Sequence, residues 1–204
     1  MKQQHRSFVM ATEWDGTNTK LKDYIKFYDD LVPYQFCNDI IEAFSADGGE
    51  EIDREQRPSF TQLNITEKWR KKDKRWIYIQ DKLTDVFNDV VDLYMKDLDC
   101  AQDFPAQFAF EEFRVKSYRN NDYDQFTNHV DVQDYNSARR FLVLFLYCNT
   151  VTSGGETNFP NLNHWVQPHA GRILAFPATW QYRHAGLIPL SSNKIIVGSY
   201  LHYL

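Results

Sequence analysis

The residues with the clearest chemical potential fall in one order in the C-terminal half of this 204-residue chain: His129-Val130-Asp131, then Gly154-Gly155-Glu156-Thr157, then His184, and Lys194 ten positions later. Two imidazoles and one carboxylate can hold one face of a divalent metal and leave the opposite positions open, which suits non-haem Fe(II) and oxygen chemistry. A lysine ammonium on a long stem and a threonine hydroxyl are groups that hold a carboxylate. The order therefore reads as three metal ligands, His129, Asp131 and His184, with Lys194 and Thr157 anchoring a dicarboxylate.

The pieces are weak singly. Six histidines and 28 acidic residues make roughly one His-x-Asp/Glu match expected by chance, so the weight falls on the conjunction. An extended backbone puts positions i and i+2 on one side; His129 and Asp131 could then reach one ion, whereas a helix would splay them. The plain alternatives are a solvated polar loop for His129-Val130-Asp131 and an exposed turn beside Ser191-Ser192-Asn193 for Lys194. His164, His169 and His202 read as structural or solvated, Glu156 as a turn residue, and Arg139 and Arg140 as flanks of a strand. Arg183 reads as a surface charge, with a substrate contact as its alternative.

The elements that must position these residues are short and apolar. Phe141 to Cys148 is an unbroken apolar and aromatic run, the signature of a strand covered on both faces, and Asn149 to Gly155 supplies turn chemistry. Gly171 to Pro177 and Ile195 to Leu201 are further short runs, one before His184 and one after Lys194. Closely spaced strands without helices between them predict a sandwich or jelly roll, in which His184 can lie beside His129 and Asp131.

The segment from about Phe113 to Tyr203 resembles the prolyl 4-hydroxylase-like branch of the Fe(II)- and 2-oxoglutarate-dependent oxygenases. The matching stretches are Val115-Lys116-Ser117-Tyr118, His129-Val130-Asp131, Tyr147-Cys148-Asn149 running into Gly154-Gly155-Glu156-Thr157-Asn158-Phe159-Pro160, Val166 to Arg172, and His184 to Pro189 with Lys194. The resemblance implies a double-stranded β-helix, iron on His129, Asp131 and His184, and the distal carboxylate of 2-oxoglutarate on Lys194 and Thr157. Tyr118 resembles the family tyrosine near the cosubstrate, with Tyr123 as its competitor because the spacing to His129 is about two residues longer than usual. Tyr200 falls where the family often places a tryptophan near the iron. The implied reaction consumes O2, with ascorbate as a possible accessory, converts 2-oxoglutarate to succinate and hydroxylates a C–H bond, on this resemblance a peptidyl proline. A peptide or protein is then the expected partner, with the loop from Arg119 to Asn128 as one wall of its groove. Two other readings stand beside it: an oxygenase of nucleic acids or small molecules, against which Lys rather than Arg follows the distal histidine, and a ligand-binding barrel without catalysis.

Bulk properties bound the rest. The length suits one domain with a sizeable core, expected as an N-terminal arm and supporting helices over 1–112 and a catalytic barrel over 113–204. A net charge of −5 gives no general attraction to polyanions. Cys37, Cys100 and Cys148 are odd in number and unpaired in spacing, so no disulfide framework is expected. No signal peptide or membrane span is read in the chain, and a reducing cytoplasm suits thiols and Fe(II) alike.

The N-terminal half yields supports rather than chemistry. Residues 1 to about 33 read as an irregular arm. Val32 to Ala46 and Trp76 to Leu98 carry helical apolar spacing, and Ser59 to Ile65 alternates as a strand. The aromatic and basic run Lys68 to Trp76 could stack on a nucleic acid strand; the solvated turn at the start of a helix is the simpler reading. The expected class is mostly β with N-terminal helices (α+β).

Overall fold

A computed structural model describes residues 20–54 and 58–204. Twelve strands among these residues form two antiparallel sheets. The major sheet contains β1 (Lys26–Tyr28), β2 (Glu50–Asp53), β3 (Ser59–Asn64), β4 (Phe108–Phe110), β5 (Arg114–Tyr118), β7 (Arg140–Tyr147), β10 (Ile173–Pro177) and β12 (Lys194–Tyr203). Its order is β1-β10-β7-β12-β5-β3-β2, and β4 pairs with the far end of β12. The minor sheet runs β6 (Phe126–His129), β11 (His184–Gly186), β8 (Thr157–Phe159), β9 (His164–Val166). Strands adjacent in space are often distant in sequence, as the two facing sheets of a double-stranded β-helix require.

The unbroken apolar run of β7 follows from what covers it. Leu142, Leu144, Leu146 and the following Cys148 pack under the helices, while Val143 and Tyr147 face the minor sheet with Leu174, Phe176 and Phe159. The helical layer is α1 (Tyr34–Asp47) and α3 (Lys74–Asp97), joined to β3 by the short α2 (Ile65–Arg70). Phe36, Ile40, Trp76, Ile79, Leu83, Phe87 and Val90 form its buried stripe, the i, i+3, i+4 spacing expected of helices lying on a sheet. Asp73 caps α3 by accepting from the backbone N–H groups of Arg75 and Trp76.

The two predicted helices thus stand at Tyr34–Asp47 and Lys74–Asp97, and the predicted strand ends at Asn64, because Ile65 turns inward as the first, fully buried residue of α2. The arm expected over 1–33 is only partly open to comparison, since 1–19 lie outside the described residues. Lys26–Tyr28 is not irregular: it pairs antiparallel with Ile173–Ala175 and closes one edge of the major sheet. The basic run from Lys68 to Trp76 is structural. Lys68, Arg75 and the Trp76 indole all meet Asp47 at the end of α1, and the Trp69 indole donates to Asp81. These contacts tie α1 to α2 and α3 and engage Lys68 and Arg75 within the chain. No helix among the described residues is long and apolar enough to cross a membrane.

Candidate active site

His129 is the last residue of β6, and His184, the first of β11, is its direct register partner. That pairing brings together two histidines far apart in sequence and sets their rings 4.3 Å apart. Asp131 lies just beyond the end of β6, so the turn rather than the strand pleat returns its carboxylate to the same point. The Nε2 atoms of His129 and His184 stand 3.8 and 3.7 Å from the two Asp131 oxygens, and the three ligand atoms lie within 4.8 Å of one another.

The surrounding hydrogen bonds determine which atoms are free. Nδ1 of His129 lies 2.8 Å from the Thr127 carbonyl oxygen, and Nδ1 of His184 lies 3.0 Å from that of Tyr182. A carbonyl can only accept, so each Nδ1 carries the proton and each Nε2 turns a lone pair toward Asp131. Burial, and then the neighbouring His184, push His129 down to about 4 despite Asp131, which keeps its ring neutral. The Tyr200 hydroxyl donates to Asp131 Oδ1 at 2.8 Å, while Oδ2 is buried without a hydrogen-bond partner. Burial and the Asp131 charge hold the Tyr200 proton on, well above the ordinary tyrosine range. Two nitrogen lone pairs and an orphan carboxylate oxygen therefore converge with no proton among them. Such a cluster repels itself unless a cation sits at its centre, so these residues fit a divalent metal.

A narrow cleft runs from this point to Lys194 and Thr157, lined also by Lys116, Tyr118, Phe145 and Ile196. The alternation of β12 explains it: Lys194, Ile196 and Tyr200 point between the sheets, and Val197 and Leu201 point to the helices. Lys194 is 1% exposed, donates a single hydrogen bond, to Gly155 O at 2.9 Å, and lies 4.5 Å from the ring centre of Tyr118, its register partner on β5. Burial pushes this ammonium down to about 7, only partly offset by Glu156. A buried cation with two donors unused favours an anion in the cleft. Thr157, on β8, shares a 2.7 Å hydrogen bond with the Tyr147 hydroxyl. Gly186, its register partner, leaves the space: a Cβ there would come within 3.2 Å of Lys194 Nζ. Gly154, at φ +69°, lets the preceding turn run against the Ile188 carbonyl, which a Cβ would approach to 2.3 Å. The cleft thus joins a buried cation and the Thr157 hydroxyl to the metal ligands.

Of the residues singled out in sequence, His129, Asp131, His184, Lys194, Thr157 and Tyr118 all come together here. Tyr123 does not: it is exposed and donates to Asp53. His164, His169 and Glu156 stay off the cleft lining. Arg140 is more than a strand flank, since it pairs through two nitrogens with Glu111, donates to the Asp131 carbonyl and stacks on Tyr200 at 4.0 Å. Lys116, which lines the cleft, and Tyr147, which holds the Thr157 hydroxyl, are the residues that sequence reasoning passed over. Strand alternation could have found both, because Lys116 shares a face with Tyr118, and Tyr147 with Val143. Lys116 is held down to about 8 by burial, partly offset by Asp131. The predicted groove wall also shifts. Asp124 ties 119–125 into a knot with Arg119, Asn121 and Ser59, and the groove outside the metal ligands is lined from Phe126 onward. Another polar cleft, about 430 Å³, lies between α2 and β2–β3, but its Lys68, Arg114, Asp47 and Glu112 are already in ion pairs.

Comparison with known proteins agrees with this geometry. The model of the 2OG-Fe(II) oxygenase superfamily matches residues 113–202. No curated protein sequence matches the chain. Among solved structures, the viral collagen prolyl hydroxylase of Paramecium Bursaria Chlorella virus-1 in complex with 2OG superposes with a TM-score of 0.67 at 22% identity, covering 89% of this chain and 97% of that one. A prolyl hydroxylase of Trichoplax adhaerens bound to a hypoxia inducible factor peptide gives 0.67 at 14%, over 88% and 84% of the two chains. A Pseudomonas putida prolyl-4-hydroxylase gives 0.62 at 15%, over 89% and 93%. Residues 113–202 are thus a domain of the 2OG-Fe(II) oxygenase superfamily, and the chain is a 2-oxoglutarate-dependent dioxygenase of prolyl-hydroxylase-like fold, with Fe(II), 2-oxoglutarate and O2 as its implied reactants.

Proposed function

We propose that this enzyme hydroxylates peptidyl proline, with His129, Asp131 and His184 holding Fe(II) and Lys194, Thr157 and Tyr147 receiving the distal carboxylate of 2-oxoglutarate over Tyr118. The observation that carries the metal assignment is the convergence of two Nε2 atoms on the Asp131 carboxylate, His129 facing Oδ1 and His184 facing the orphan Oδ2. Bound iron supplies the oxygen-activating redox chemistry; the chain's own residues position and shield. Thr127 and Tyr182 carbonyls fix both imidazole tautomers, and Tyr200 and Arg140 hold Asp131 from its two ends. Phe126 stacks on His129 at 3.5 Å, and Phe159 and Phe176 pack against His184, which keeps bulk water from the inner side of the ligands.

The proline assignment is supported by the fold shared with three prolyl hydroxylases and by an open groove of about 820 Å³ beside His129, roomy enough for an extended peptide. The reading takes 1–204 as one catalytic unit. It also places the enzyme in a reducing cytoplasm, where its three free cysteines stay reduced. The test is a mass-spectrometric screen with Fe(II) and 2-oxoglutarate. Proline peptides should gain one oxygen on proline with matching succinate, and single-stranded oligonucleotides should gain none; oxidised oligonucleotide with unmodified peptide would refute the proposal.

A further inference from the structure

The groove outside the metal ligands is lined by Arg54, Pro58, Phe126, Asn128, His129 and Arg183 among others, and no carboxylate of the described residues lines it. Its cations differ from the arginines around it. Arg70, Arg114, Arg119, Arg140 and Arg172 each face a carboxylate within 3.0 Å. Arg54 meets no partner among the described residues, and Arg183 reaches only the Asn128 carbonyl, at 3.4 Å. Just inside, the part-buried Lys116 rests its ammonium on the rings of Phe60 and Phe126, at 4.9 and 5.6 Å, and no oxygen of the described residues accepts from it.

Charge balance indicates what these three cations are for. A divalent metal, Asp131, Lys194 and a dicarboxylate cosubstrate cancel one another, so the inner site is neutral without Lys116. Its charge is surplus to the cosubstrate, and Arg54 and Arg183 repeat the same sign at the mouth, in a chain whose net charge is −5. Two cations at one groove and a third in the cleft just inside it, none with a carboxylate partner among the described residues, favour an anionic occupant. A long polyanion fits poorly, because no continuous basic stripe leads away from the groove lining.

We propose that the groove selects an acidic peptide, whose carboxylates pair with Arg54 and Arg183 and, nearest the metal, with Lys116. This rests on the reading of the groove as a peptide site and adds the residues that choose among peptides. On this account Lys116, Arg54 and Arg183 set substrate specificity.

The test uses the full chain loaded with Mn(II) and saturating 2-oxoglutarate, and fluorescence anisotropy of labelled peptides of one length whose proline is flanked by acidic, neutral or basic residues. The acidic peptide should bind about tenfold tighter than the neutral one, the size of one or two partly exposed ion pairs, with a preference that shrinks as salt is added. Arg183→Gln and Lys116→Gln should each remove a severalfold part of that preference. Arg139→Gln, exposed and outside the groove lining, should retain it, and melting curves identify any variant that has lost its fold. If an acidic peptide with alanine in place of proline binds equally well, the groove assignment stands and the proline reading falls. Equal or absent binding of the three peptides, or an oligonucleotide that displaces the acidic one, overturns the proposal.

Discussion

Replacing Lys194 by methionine keeps the stem and removes the charge, and the structure sets opposite signs for its two consequences. The ammonium is buried, has one hydrogen bond and no carboxylate partner, and is pushed from 10.5 to about 7 by that burial. Between those values the unfolded chain carries a proton that the folded chain has released, so stability of the ligand-free protein should rise with pH across that window. The penalty near pH 7 amounts to several kcal/mol, because each pH unit between the two values is worth about 1.4 kcal/mol. Lys194→Met should therefore melt higher than the parent at pH 7, and the rise in melting temperature toward pH 10 should flatten. Binding moves the other way. Loss of one partner of a buried charge pair costs on the order of 2–5 kcal/mol, roughly thirtyfold to several thousandfold in 2-oxoglutarate affinity. Because the anion needs the protonated lysine, binding to the parent should take up a proton and weaken by up to about tenfold per pH unit above 7. Calorimetry of the Mn(II)-loaded protein in buffers of different ionisation enthalpy reads affinity and proton uptake together. Unchanged affinity in Lys194→Met, or binding without proton uptake in the parent, would refute the anchoring role.

Three further outcomes test neighbouring parts of the structure. Asp131→Ala should abolish Mn(II) binding, and Tyr200→Phe, which removes only the hydrogen bond to Asp131 Oδ1, should weaken it about ten- to a hundredfold; His169→Ala is the control, and equal affinity in all variants would sink the ligand set. Thr157→Val should cost about 1 kcal/mol of 2-oxoglutarate binding without altering the metal titration, and a loss as large as that of Lys194→Met would show that the damage is structural. Asp47 is held down to about 2, chiefly by Lys68 and then by the Trp76 indole. Its stabilising contribution is present above pH 4 and is lost as pH falls toward 2, so Asp47→Asn should unfold more readily at neutral pH and show a shallower acid transition by circular dichroism.

How much of this was legible in sequence depended on whether a residue's role is local. His129-Val130-Asp131 and Lys194 could be read because their types and order already specify chemistry, and β7 because eight apolar residues in a row require cover on both faces. The helical stripes of α1 and α3 were legible for the same reason, since each lies on one side of its own helix. Lys26–Tyr28 was not, because three residues acquire a strand's identity only by pairing with β10, more than a hundred positions away.

The same distinction separates the inner site from its support. Nothing near Arg140 in sequence distinguishes it from Arg139, yet one residue of register puts Arg140 on Glu111, on the Asp131 carbonyl and over Tyr200, while Arg139 is left exposed. Lys68 to Trp76 left two readings open in sequence, because Asp47, the acid that takes Lys68, Arg75 and the Trp76 indole, stands at the end of another helix. A charged residue shows its role only with its partner, and partners here lie across sheets and between helices. That is also why Arg54, Lys116 and Arg183 stand out: in a fold that pairs most of its described arginines internally, these cations at the metal's mouth have no carboxylate partner among the described residues.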